Sequence, residues 1–427
     1  MKAAVILVAT VCAAQVGPPS EEASLLEVRA RMGKALKSLP DYLCLETTER
    51  LRAPRANAKP NLLDTVELEV AHVGDKEMYS WPGRNMFAAA DLATALPGGL
   101  VGTGAYATQM NDVLFGPATH FQFAGEENLG PRATLRWDFT QSKDSSVWSV
   151  GSGRRTAWVG SAGSIWADAQ TRLLVRLHVR ATGLPARFPI KSAERTIDYA
   201  LVRIGASDVL LPNAAEDLVE EAGGAVNINR SRFGTCREYS ASSQITFDER
   251  PAQPAPASPL AISTALPSRL NIRLALDGHV RSAGAVVGAP VNAHLLSDVR
   301  HAGTVLAPKG TPVSGVLRQL TKTDNRFVVM IEFIELVLPG GNVPFRARLE
   351  RIDAQGPDVQ WLVPGEAGLM RLVHYGSTAA MDDAARSQQV KLDPLPGVAV
   401  LFVAGQSFDL SPGTPMTWVT LDDARQP

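Results

Sequence analysis

Cysteine is nearly absent from this chain, with only Cys12, Cys44 and Cys236 among 427 residues. No two of them form a Cys-x-x-Cys pair, so a thiol redox centre or a cysteine zinc site has no support. Charge of one sign is also lacking. Forty-two lysines and arginines against 43 acids leave a net charge of −1, and no global field favours nucleic acid. Beyond the amino terminus there is no long apolar run. The richest, Phe327 to Leu338, is broken by Glu332 and Glu335 and has strand length, well short of the ~20 residues a membrane-spanning helix needs. The seven histidines (His72, His120, His178, His279, His294, His301 and His374) form no His-Glu-x-x-His or other close pair, so metal binding has no motif. Gly160-Ser161-Ala162-Gly163-Ser164 is not the Gly-x-Ser-x-Gly elbow of a nucleophilic serine. Glu126-Glu127 and Asp382-Asp383 are sequence neighbours, which point to opposite faces of a strand. The sequence assigns no catalytic residue, metal or cofactor.

What is present begins with an export signal. Residues 1–14 read as a signal peptide. Lys2 is the basic end, Ala3 to Val11 the apolar run, and Cys12-Ala13-Ala14 a small-residue cleavage site before Gln15. The alternative is lipoprotein anchoring through Cys12. It is disfavoured by Val11, which stands where such signals carry a small residue. The expected location is periplasmic or secreted, with no transmembrane segment in the mature chain. In an oxidising compartment the two remaining cysteines, Cys44 and Cys236, are expected to pair as a structural disulfide. Closing a loop with 191 residues between them would restrict the unfolded chain by ~4–5 kcal/mol in the chain-entropy model.

Patterning then divides the chain. Residues 20–39 carry Leu25, Val28, Met32, Leu36 and Leu39 at helical spacing, with acids first, lysines last, and Pro40 as the stop. Strands follow, alternating about Val66-Leu68-Val70, Leu135-Trp137-Phe139 and Val175-Leu177-Val179. Residues 85–96 and 106–115 read as helices joined by a glycine-rich loop at 98–104. Residues 249–268, with five prolines among alanines and serines, read as an extended linker. Beyond it, short strands separated by turns at Pro308-Lys309-Gly310, Pro339-Gly340-Gly341 and Pro412-Gly413 indicate a second β domain. Met381 to Gln389 reads as a short helix or a loop. The expected fold class is β-rich α+β: a curved antiparallel sheet (half-barrel) with packed helices over 20–248, then a small all-β barrel or sandwich over 269–425.

Two resemblances agree with this division. The phrases Leu39-Pro40-Asp41-Tyr42-Leu43-Cys44, Met78-Tyr79-Ser80-Trp81-Pro82-Gly83, Arg136-Trp137-Asp138-Phe139 and Ile197-Asp198-Tyr199-Ala200 resemble exported proteins of acidobacteria-type genomes. The order of strands and helices in that half is similar to lipoprotein-carrier half-barrels of the LolA, LolB and RseB type. The likeness implies a curved sheet wrapped around a helical plug, holding acyl chains or peptide. In the second half, Val291-Asn292-Ala293-His294-Leu295, then Gly303 to Thr311, then Val313-Ser314-Gly315-Val316-Leu317, resembles the periplasmic β-barrel domain of conjugation scaffolds of the VirB10 or TrbI type. The sequence lacks the helical antenna and membrane anchor of those scaffolds, so the resemblance implies a barrel without a conjugation role.

Three groups are candidates for function. The 98–104 loop lacks the Gly-Lys-Ser/Thr ending of a phosphate cradle, and in a half-barrel Gly102 and Gly104 would hinge a lid. Trp81, Trp137, Trp148, Trp158 and Trp166 are expected to fill the first core, with Trp81 and Trp137 as candidates to line an apolar ligand pocket. Arg176, His178 and Arg180 share one strand face. They form either a solvated surface or a docking patch for anionic head groups or an acidic partner. The resulting expectation is a non-enzymatic, exported cell-envelope protein. Its first domain binds a hydrophobic lipid or peptide, its second contacts an envelope protein partner, and neither binds nucleic acid. The alternatives are an envelope scaffold without a ligand cavity and an unrecognised hydrolase. An apolar cavity beneath the 85–115 helices would distinguish the carrier, and a filled core the scaffold.

Overall fold

The computed structural model describes residues 21–74, 76–83, 96, 100–102, 104, 107–152, 155–239, 266–323, 325–354, 358–364, 370–374 and 396–421. The expected helix over 85–96, the segment 381–389, the signal region and most of the linker lie outside the described residues. Helix α1 (Glu21–Lys37) carries acids in its first turn and Lys34 and Lys37 in its last, matching the helix dipole, and buries Ser24, Val28 and Met32 at i, i+4 spacing. The first sheet is antiparallel throughout. In chain order its strands are β1 (Tyr42–Ala53), β2 (Asn61–Val73), β3 (Lys76–Ser80), β4 (Thr119–Leu129) and β5 (Arg132–Gln141), then β8 (Gly160–Asp168), β9 (Leu174–Thr182), β10 (Ile190–Ile204), β11 (Ser207–Glu221) and β12 (Val226–Glu238). Between β5 and β8 a small hairpin forms from β6 (Ser149–Ser152) and β7 (Arg155–Trp158). Spatial order is β3-β2-β1-β12-β11-β10-β9-β8-β5-β4, so the first and last strands of the domain meet in mid-sheet. A second helix, α2 (Thr108–Phe115), enters before β4 and buries Met110, Val113 and Leu114. α1 and α2 pack on the apolar half of the inner face, against Trp137, Ile165, Leu177 and Ile197.

Cys44 and Cys236 are joined. In a regular strand Cys236 would project outward, because Asn227, Asn229, Ser231 and Phe233 are the inward residues of β12. The pairing slips between Leu43 and Leu45, so two residues of β12 stand opposite Cys44. Thr235 takes a left-handed φ of 48° there. That bulge reverses the parity of β12 and brings Cys236 to the face of Cys44.

The second sheet is also antiparallel. In chain order this half contains β13 (Asn271–Leu276), β14 (Val280–Arg281), β15 (Pro290–Leu295), β16 (Val299–His301), β17 (Thr304–Ala307), β18 (Pro312–Thr323), β19 (Arg326–Leu338), β20 (Gly341–Pro344), β21 (Ala347–Ile352), β22 (Val359–Pro364), β23 (Met370–His374), β24 (Val398–Ala404), β25 (Asp409–Leu410) and β26 (Pro415–Thr420), of which β14 with β25 and β16 with β17 form separate two-stranded sheets. The main path runs β21-β26-β13-β15-β18-β19-β24-β22-β23. It curls into a nearly closed barrel, in which Trp361 Nε1 of β22 donates to the Glu350 carbonyl of β21 at 3.0 Å. Phe333, Phe345 and Trp418 fill its centre edge to face, with ring centroids 5.3–5.9 Å apart.

The domains share a core. β3 covers only Glu69 to Val73 of β2, which leaves the lower edge of β2 open. Val287 fills that edge in parallel register: Glu67 N donates to Val287 O at 2.8 Å and Val287 N to Thr65 O at 2.7 Å. Val66 and Leu68 of β2 pack in the same cluster as Ile272, Leu317 and Trp418. Trp81 packs against that cluster, with the Arg318 guanidinium 5.3 Å from its ring centroid. The five tryptophans of the first domain therefore divide: Trp137 is sealed, Trp81 serves the interdomain seam, and Trp158 is exposed, against the expectation of a common core. Among the described residues no helix is long and apolar enough to cross a membrane.

Gly288 has φ 101°, and a Cβ there would collide with the Glu67 carbonyl and the Trp81 ring. Gly288→Ala is therefore expected to loosen the seam while sparing each core. Limited proteolysis between the domains should accelerate, and unfolding should split into two transitions. A single cooperative transition at the wild-type midpoint would refute the close-approach argument.

Candidate functional site

Across the middle of the first sheet, five residues stand directly opposite one another. Arg195 of β10 faces Asp217 of β11, Asp217 faces Asn229 of β12, Asn229 faces Arg50 of β1, and Arg50 faces Asp64 of β2. All point to the inner face, because their strands place Ile197, Ala215, Phe233, Cys44 and Val66 at the same parity. Arg50 binds Asp64 through two hydrogen bonds of 2.7 and 2.5 Å. Arg195 binds Asp217 likewise, at 2.5 and 3.2 Å. Next to this row Thr48 and Ser231 share a hydroxyl hydrogen bond of 2.6 Å, and the Thr48 hydroxyl donates to Glu46 Oε1 at 3.2 Å.

The described part of the 98–104 loop and its continuation lie over the row as a strap. Asn229 Nδ2 donates to the Leu100 carbonyl at 3.0 Å. Gly102 lies so close that a Cβ would stand 2.5 Å from both Arg195 Nη2 and Asp217 Oδ2. Glu77 of β3 accepts from the backbone nitrogens of Gly104 at 3.2 Å and Ala107 at 3.1 Å, and from the Tyr79 hydroxyl at 3.1 Å. The cavity enclosed beneath the strap is about 30 Å³, room for one or two waters. Its lining combines the polar Glu46, Thr48, Arg50, Asp217, Asn229 and Ser231 with the apolar Val66, Leu68, Leu96, Leu100 and Val101, and with Gly102. A separate, wide groove of about 500 Å³ runs along α1 between Arg29, Gly33, Lys34 and Lys37.

The interior is electrically tuned. Burial pushes the Glu46 carboxyl up to about 7. The Ser231 and Thr48 hydroxyls act against that rise, Asp217 adds to it, and Arg195 opposes it. Burial also raises the phenols of Tyr42, Tyr79 and Tyr199, with Glu77 acting in the same direction. Two buried acceptors or donors lack a partner among the described residues here: Asn229 Oδ1 and the Tyr199 hydroxyl.

The sequence candidates fall in different places. Gly102 and Gly104 are in the strap. Trp137 is 1% exposed and packs edge-on against Phe123 at 5.5 Å, away from the cavity. Trp81 lies at the domain seam. Arg176 is bound by Asp198 at 2.5 and 2.9 Å, and His178 lies 3.6 Å from Glu194, the cross-strand neighbour of Arg180. The stripe is thus interleaved with carboxylates on the outer face, a neutralised lattice rather than an isolated cationic patch. Among the described residues no three metal-ligating side chains gather. Sequence reasoning passed over Glu46, Arg50, Asp64, Arg195, Asp217 and Asn229. The available signal was Arg195, which shares its parity in β10 with Ala193, Ile197 and Tyr199.

Fold and site together define a β protein of two large antiparallel sheets, the first of which carries a strapped, polar inner face. No protein-family model matches the chain, and no curated protein matches it. Among solved structures, a LolA superfamily protein from Nitrosomonas europaea aligns at 11% identity and a TM-score of 0.24, covering 50% of this chain and 94% of its own. A DUF1329 family protein from Desulfovibrio piger aligns at 13% identity and a TM-score of 0.28, covering 53% of this chain and 97% of its own. At those scores the assignment of the fold rests on the strand order given above.

Because the folded Glu46 binds its proton more tightly than an unfolded glutamate, its contribution to stability is complete below about pH 4.5 and is lost as pH rises through about 7. The groups facing it are Arg195, Asp217, Ser231, Thr48 and, more remotely, Tyr79. Thermal midpoints should fall between pH 5 and 8, and Glu46→Gln should flatten that slope. An unchanged slope in the variant would remove Glu46 as its source.

Proposed function

We propose that this chain is a non-enzymatic binding protein of the cell envelope, and that the strapped inner face of the half-barrel takes an amphipathic ligand, a lipid or an acylated peptide. The observation that carries this reading is the mixed lining of the cavity. Charged and amide side chains line it together with Val66, Leu68, Leu96 and Val101, beneath a segment held by glycines. Net stability alone does not account for the polar row, since replacing buried ion pairs with packed hydrocarbon is often neutral or stabilising. The polar row sits where the two plug helices do not reach, and the closed cavity implies that the strap lifts when a ligand enters. The Cys44–Cys236 bond accords with export to an oxidising compartment. The second domain is read as the part that contacts an envelope partner, while its core also clamps one edge of the half-barrel.

A second reading, a rigid scaffold, is favoured by one observation: the cavity beneath the strap, as bounded by the described residues, measures only about 30 Å³. Ligand exchange separates the two. Native mass spectrometry of protein purified from its own envelope should reveal a retained lipid or acylated peptide. Gly102→Ala, which crowds the Arg195–Asp217 pair, should lift the strap and speed exchange of a fluorescent fatty-acid probe several-fold. Repeated recovery of ligand-free protein, together with no probe binding by either form, would leave the scaffold standing.

A further inference from the structure

We infer that the polar row beneath the strap recognises a primary ammonium group on the ligand. This rests on the reading of the inner face as a site for an amphipathic ligand, and it names the head group that face accepts.

The argument is an inventory of donors and acceptors. Both buried arginines are already held by two hydrogen bonds each to their own aspartates, so their charges are matched. One buried acceptor in the cavity wall has no donor among the described residues. Asn229 is 4% exposed and lines the cavity, and its Oδ1 has no partner among the described residues. Its orientation is fixed, because the other amide atom must be the nitrogen that donates to the Leu100 carbonyl. A buried amide oxygen without a donor costs free energy, and a ligand N–H would recover it. Directly across the strand pair, Asp217 presents its carboxylate to the same cavity. Further along, Glu46 adds a second carboxylate with no arginine hydrogen-bonded to it.

Charge points the same way. Arg50 pairs with Asp64 and Arg195 with Asp217, so above about pH 7, where Glu46 has lost its proton, the five ionisable groups of the row and its neighbour carry a single surplus negative charge. An anionic head would meet Glu46 and Asp217 with no free cation to receive it. A neutral hydroxyl would satisfy Asn229 alone and leave the surplus charge. A primary ammonium supplies three N–H donors and one positive charge in about the volume of a water molecule, which suits a cavity of about 30 Å³. A quaternary ammonium has the charge but no donor and is too bulky. The apolar side chains of Val66, Leu68, Leu96 and Val101 then receive the first carbons of the attached chain.

The test compares probes with one tail and different heads. Binding of n-octylammonium, n-octyltrimethylammonium, n-octyl sulfate and n-octanol to the full-length protein is measured by calorimetry at pH 8, each below its micellar concentration. The primary ammonium should bind tighter than every other probe by on the order of tenfold, the scale of a charge-assisted hydrogen bond. In Glu46→Gln, which keeps the shape of the side chain, that preference should shrink to a few-fold. If all four probes bind alike, the amphiphile site stands and the head-group inference falls. A match between the primary and quaternary probes would likewise refute it, by removing the donor argument. If no probe binds, the proposed function itself fails. The wild-type comparison decides the matter even where a variant is poorly folded.

Discussion

Two arginines buried on the inner face of the first sheet must each keep a carboxylate, and that requirement passes through five strands. Arg195 with Asp217, and Arg50 with Asp64, are register partners across β10–β11 and β1–β2, and Asn229 links the two pairs through β12. A slip of one residue in any of these pairings would turn a charge outward and strand its partner inside, at a cost of about 3–5 kcal/mol. The ion pairs add little net stability over hydrocarbon. Their effect is to make one register far better than its neighbours. The strap depends on the same geometry, since Gly102 rests on the Arg195–Asp217 pair and Leu100 takes the amide of Asn229.

The second domain enters this arrangement as more than a neighbour. Leu96 and Val101, before and within the strap, pack with the cluster that holds Ile272, Leu317 and Trp418. Burying one such side chain fully stabilises by about 1.5–3 kcal/mol, more than a typical net hydrogen bond contributes. The strap is therefore held down by the second core at least as firmly as by its own polar contacts. Movement of the strap and tightness of the domain seam become one coupled equilibrium. Val287 works in the same direction by pairing with the open edge of β2 at Thr65 and Glu67.

The strands were legible in the sequence because period-two alternation records which face is buried, and α1 because its apolar residues and end charges agree. The faces themselves were less so. In β1 the leucines Leu43, Leu45 and Leu51 suggest one inward parity, whereas the structure buries Tyr42, Cys44, Thr48 and Arg50 of the other and leaves Leu45 and Leu51 only partly buried. Hydrophobicity misleads there because the inner face is polar by construction. The disulfide followed from compartment and scarcity. How Cys236 reaches Cys44 did not, since a bulge is invisible to a strict alternation. Trp158 shows the same limit: its neighbours Ala157 and Val159 enter a small cluster with Val150 and Phe188, and Trp158, on the opposite parity of the hairpin, remains 62% exposed. Arg195 and Asp217 lie 22 residues apart, and nothing local pairs them until β10 and β11 fold back on one another.

The strap gives a clue to what it excludes. It offers backbone N–H groups from Gly104 and Ala107 to Glu77, and lays the small surface of Gly102 against Asp217. In this closed form Glu77 receives two backbone N–H groups, Asn229 gives its amide to the Leu100 carbonyl, and Asp217 faces a residue without a side chain. A ligand that displaces the strap has to supply what the strap supplies. For a face that leaves the Asn229 oxygen without a donor among the described residues, that means N–H groups, followed by a short apolar stem where Leu96 and Val101 now lie. The competition is between two occupants of similar chemistry, one tethered and one free. The tethered one wins until the free ligand adds a positive charge that the strap does not carry.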